Sequence, residues 1–71
     1  MSNNVKDQNR HIWRGEDLST WSTEKLRRKA YQASDMAGLA VKDGDYKDAE
    51  RHHEDFNRYQ YEINTRSEEG Q

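Results

Sequence analysis

The sequence predicts an all-α fold: an antiparallel helical hairpin of residues 22–42 and 45–66, with a short N-terminal helix or a packed arm at its open end. Three observations predict it. Two long segments space their apolar residues three and four apart, as one face of a helix requires. Asp43-Gly44-Asp45 stands between them and reads as a tight turn. The chain has no proline to interrupt either segment.

Residues 1–10 are polar and read as a flexible N-terminus; if helical, Asn3 or Asn4 is the cap and the helix ends near Gly15. Residues 11–66 form the single domain expected of so short a chain. Ile12, Trp13, Leu18 and Trp21 concentrate apolar area just before the hairpin. A chain with few large apolar residues needs them for burial, so they are expected to fold back over the open end.

The first helix starts at Ser22, whose hydroxyl can accept from the free N–H groups of the first turn. Trp21 before the cap and Leu26 after it fit a hydrophobic staple. Leu26, Ala30, Ala33, Ala37 and Ala40 make a heptad-like seam of mostly small residues, with Val41 beside it. Gly44 lies where a left-handed residue ends a helix, and Asp45 caps the next. The second seam reads Tyr46, Ala49, His53, Phe56, Gln60 and Ile63, flanked by His52 and Tyr59. Pairing outward from the turn sets alanines against large side chains. Residues 67–71 are read as a frayed end.

The composition narrows the functions. Only 30% of the 71 residues are hydrophobic and 37% are charged, and the mean hydropathy is -1.57. Such a chain buries a thin core, which supplies roughly 3–5 kcal/mol at this length. With no cysteine to form a staple, self-association or a partner is the remaining support. No apolar run approaches the roughly 18 residues of a membrane span, so the expected setting is cytoplasmic with no membrane contact. The net charge of -2 does not suit a general polyanion binder. Residues 22–42 carry five positive charges against two negative, and residues 43–71 four against nine. An antiparallel pair brings the basic start of the first helix to the acidic end of the second, near Glu62, Glu68 and Glu69.

The stretch Gly44-Asp45-Tyr46-Lys47-Asp48-Ala49 resembles the inter-helix junction of tetratricopeptide repeats, where a glycine turn, an aromatic and an alanine recur in this order. The resemblance spans Ala33 to Arg58 and is carried by Gly44, Tyr46 and Ala49. Ala33, Met36 and Ala37 stand where the repeat shows a large aromatic, a leucine and a glycine, and Phe56 where it shows a small residue. There is no second copy. The resemblance implies hairpin geometry and a bias towards protein binding.

Catalytic chemistry has no support in the motifs: no glycine-rich phosphate loop, and no serine set with a histidine and an acid. No cofactor is expected. His52 and His53 point about 100° apart on one helix, so either joins at most one nearby acid, short of the three or four ligands of a zinc site. In Asp43-Gly44-Asp45 the glycine comes too early for a calcium loop. The chain is therefore expected to be a non-enzymatic protein–protein interaction module or regulator, with a four-helix homodimer as one form. Its candidate contact residues are Trp13, Trp21, Tyr31, Leu39, Tyr59 and Tyr61. The alternative is an accessory nucleic-acid binder using Lys25, Arg27, Arg28 and Lys29, although no recognition motif accompanies them.

Overall fold

A computed structural model describes residues 11–68. The expectations for residues 1–10, and the end of the frayed segment at 69–71, lie outside the described residues. The order of elements is β1 (Ile12–Trp13), β2 (Glu16–Asp17), a 3-10 turn (Leu18–Thr20), α1 (Thr23–Lys42) and α2 (Tyr46–Glu68). The two long helices pack side by side as the predicted all-α hairpin.

The caps form as their chemistry requires. The Ser22 hydroxyl accepts from the Lys25 N–H at 3.0 Å, and the Asp45 carboxylate accepts from the Asp48 N–H at 3.2 Å. At the end of α1, Gly44 has φ +81°. Its N–H donates to Val41 O at 3.0 Å, and the Asp45 N–H donates to Ala40 O at 2.9 Å. These two bonds satisfy carbonyls that the helix leaves unpaired, the arrangement that a left-handed glycine makes possible.

The helical option for the segment before Gly15 is corrected where it is described. Residues 12–17 form a two-stranded antiparallel hairpin, with Ile12 opposite Asp17 and Trp13 opposite Glu16. Arg14 and Gly15 make its two-residue turn, both with positive φ, 49° and 82°. Such a turn matches the natural twist of paired strands. Asp17 then opens the 3-10 turn, accepting from the Ser19 N–H at 3.0 Å and the Ser19 hydroxyl at 2.6 Å. This arm folds back over the hairpin. Leu18 is fully buried, Trp13 and Trp21 are half-buried, and Ile12 stays exposed.

The α1 seam is the predicted one: Leu26, Ala30, Ala33, Ala37 and Ala40 are all buried. The α2 seam is rotated from the expectation. Tyr46 is 69% exposed and His53 is exposed, while His52 is half-buried and Glu62 is only 3% exposed. The physical reason is the arm. It docks on the flank of α2 that carries Asp55, Glu62 and Arg66, so the buried stripe of α2 lies between α1 and the arm. α2 also continues through Ser67 and Glu68, past the predicted end at 66.

Candidate interaction surfaces

Among the described residues, four polar side chains of α2, Glu54, Asp55, Glu62 and Arg66, fasten the arm. Asp55 Oδ1 accepts from Trp13 Nε1 at 2.8 Å and from Arg14 Nε at 2.7 Å. Arg14 also reaches Glu54 at 3.5 Å. His11 Nδ1 lies 3.0 and 3.2 Å from the two oxygens of the buried Glu62 carboxylate. Arg66 donates to Leu18 O at 3.0 Å, Trp21 O at 2.6 Å and the Thr23 hydroxyl at 3.0 Å. One guanidinium thus ties the 3-10 turn, the approach to α1 and its first residue together, which its fork of donors suits.

The electrostatics follow these contacts. The hydrogen bond to Asp55 raises the Arg14 pKa above its ordinary value. The Ser19 hydroxyl, with the Ser19 N–H, lowers the Asp17 pKa by stabilising the carboxylate. Burial against the arm raises the Tyr59 pKa, because the phenolate would lose its hydration, and the Asp55 charge adds to the shift.

The candidate contact residues divide among separate surfaces. Trp21 and Tyr59 lie against each other, ring centroids 5.6 Å apart, and Lys25 Nζ sits 4.2 Å from the Trp21 ring centre. Trp13 and Tyr61 border a shallow groove of about 460 Å³ with Glu54, Asn57 and Arg58. The Arg58 guanidinium lies over both rings, 5.9 and 5.5 Å from their centres. Leu39 is exposed on the outer side of α1. Tyr31 is 75% exposed on a different face again.

That last face is the flank of the helical pair opposite the arm. The 3.6-residue period places Arg27, Tyr31, Ser34, Gly38 and Val41 on this flank of α1. The same period places Tyr46, His53 and Gln60 on this flank of α2. Two depressions run along the seam here. One, of about 330 Å³, is lined by Arg27, Ala30, Tyr31, Phe56, Gln60 and Ile63. The other, of about 210 Å³, is lined by Ser34, Ala37, Gly38, Val41, His53 and Phe56. Phe56 and Ile63, expected in the core, are half-buried floors of these depressions. No segment of residues 11–22 covers this face with a recorded hydrogen bond or ion pair among the described residues.

Lys25, Arg27, Arg28 and Lys29 are all exposed. Glu62, expected beside them, instead holds His11, because its position on α2 faces the arm rather than α1. Among the described residues, none of the four basic side chains forms an ion pair. They are spread around α1 rather than gathered on one side, as consecutive helical positions must be. Among the described residues, no group of three His, Cys, Asp or Glu side chains is placed to hold a metal ion, and no helix is long and apolar enough to cross a membrane.

Sequence reasoning missed His11, Asp55 and Arg66, and gave Glu62 the basic run as its partner in place of His11. Each is a polar residue without a motif, and only the docking of the arm gives it a partner. No protein-family model, curated protein or solved structure matches this chain.

Proposed function

We propose that this protein is a non-enzymatic protein–protein interaction module that docks a helical surface on the face of its hairpin opposite the arm. The observation that carries this reading is the exposure of Tyr31, Val41 and Tyr46 beside two apolar depressions on one face of so small a body. Contiguous exposed apolar surface on a small charged protein marks a contact site. Homodimerisation is the finer form of this reading, and a cytoplasmic setting belongs to it as well. The weak likeness of the turn to a tetratricopeptide junction points the same way. The test is affinity capture from the native host, comparing the unaltered protein with Tyr31→Ala and with Leu39→Ala. Loss of captured protein with Tyr31→Ala alone supports the reading. Equal capture by all three excludes this face.

One observation favours a second reading. Lys25, Arg27, Arg28 and Lys29 are exposed and free of ion pairs among the described residues, so phosphates can approach them. Accessory nucleic-acid binding through this run predicts retention of DNA or RNA at low salt that falls steeply as salt rises. No retention at low salt removes it.

A further inference from the structure

We infer that the occupant of the face that residues 11–68 leave uncovered is a second copy of this chain, docked about a two-fold axis that crosses the helices over Phe56. The inference rests on the proposed docking role of that face and names its partner. Phe56 lines both depressions, so an axis over its ring exchanges one for the other. A symmetric interface of this kind repeats each contact twice, with residue i on j and j on i. Tyr31 borders the first depression, and Gly38, seven residues on, floors the second. Seven helical residues span about 10 Å, and the axis brings Tyr31 of each copy over Gly38 and Val41 of the other. A Cβ built on Gly38 meets nothing within 4 Å, so the space above it is open to an incoming ring.

Size and charge agree with this occupant. α1 is about 30 Å long, and two helices with their side chains are about 20 Å across. The face is then about 600 Å², and a symmetric pair hides about 1,200 Å², the lower bound for a stable interface. Arg27 is the one residue with a permanent charge among those lining the two depressions. It stands near the start of α1, so the axis holds the two copies of Arg27 at opposite ends of the interface. Self-association therefore meets no like-charge contact at its centre.

The experiment is sedimentation equilibrium of the full chain across micromolar to millimolar concentration, with Tyr31→Ala, Gly38→Gln and Leu39→Ala. Gly38→Gln is the decisive variant. It fills the open space with a better helix former, so helicity by circular dichroism should hold or rise while the dimer is blocked. The expected result is a dimer whose Kd rises at least tenfold in Tyr31→Ala and in Gly38→Gln and stays within twofold in Leu39→Ala. A dimer indifferent to both Tyr31→Ala and Gly38→Gln overturns this interface. A strict monomer at millimolar concentration overturns self-association. Capture from the native host then separates the two readings: capture lost in Gly38→Gln leaves the docking face with another partner, and capture unchanged in both variants removes the docking face too.

Discussion

Glu62 carries a carboxylate where the sequence pattern gives no reason to bury one. It is 3% exposed, and its recorded hydrogen-bond partner among the described residues is His11. A buried acceptor that loses its partner carries its full desolvation penalty, about 1–3 kcal/mol. We expect His11→Ala to lose about 2 kcal/mol in urea unfolding, and Glu62→Gln in the same background to recover part of it, since a neutral amide is easier to bury. Tyr59 offers a pH test. Its pKa is raised above the ordinary 10.0, chiefly by burial. Folding therefore gains from Tyr59 fully below that ordinary value, and the gain is lost as pH rises through the higher folded value. In an ultraviolet titration of tyrosinate, a component should ionise above the ordinary 10.0, and Tyr59→Phe should remove it. None of this was legible in the sequence. Charged residues are read as solvated by default, and His11 lies 51 positions away from Glu62.

Among the elements, those whose signals are local were legible. The Ser22 and Asp45 caps, the Gly44 turn and the alanine seam of α1 each depend on residues within one or two turns of each other. Gly44 is a clean test of the turn. It has φ +81° with nothing near its absent Cβ, so a substitution meets conformational strain alone. Gly44→Ala should destabilise by about 1 kcal/mol, read as a lower urea midpoint at unchanged slope. The orientation of α2 was not legible, because its inner stripe mixes Ala49, His52, Phe56 and Tyr59 with polar residues. Its polar periodicity admits several rotations, and the arm selects one. The strand hairpin was hidden as well. Arg14-Gly15 lacks the asparagine or aspartate that usually signals such a turn, although Gly15 supplies the required positive φ.

At the scale of the whole molecule, the hydrophobic core is small. Among the described residues, its buried apolar side chains are Leu18, Leu26 and five alanines, and only the two leucines are large. A core of this kind supplies roughly 3–5 kcal/mol, while removing a fully buried leucine costs about 2–5 kcal/mol. Leu26→Ala should therefore leave the chain largely unfolded at 25 °C, seen as loss of the helical circular dichroism signal. Docking surfaces were legible only as a list of aromatics. Trp13, Trp21, Tyr31, Tyr59 and Tyr61 carry no mark in the sequence that says which lie against the arm and which face outward. Among the described residues, the arm makes that division by covering one flank of the pair and not the other.

The alanine stripe of α1 has a consequence for how this sequence can drift. Ala30, Ala33, Ala37 and Ala40 set the spacing between the helices, so what they cannot accept is volume. Enlarging one of them to leucine overpacks the seam, by about 1–3 kcal/mol, most of the margin such a core holds. On α2 the intolerance is to lost charge and hydrogen bonding, at Asp55, Glu62 and Arg66. A saturation mutagenesis map scored by folding should therefore show two kinds of forbidden change on two neighbouring helices. One is a size limit recurring every three or four residues, and the other a limit on polarity along the flank beneath the arm. A map with uniform tolerance along α1 would contradict this.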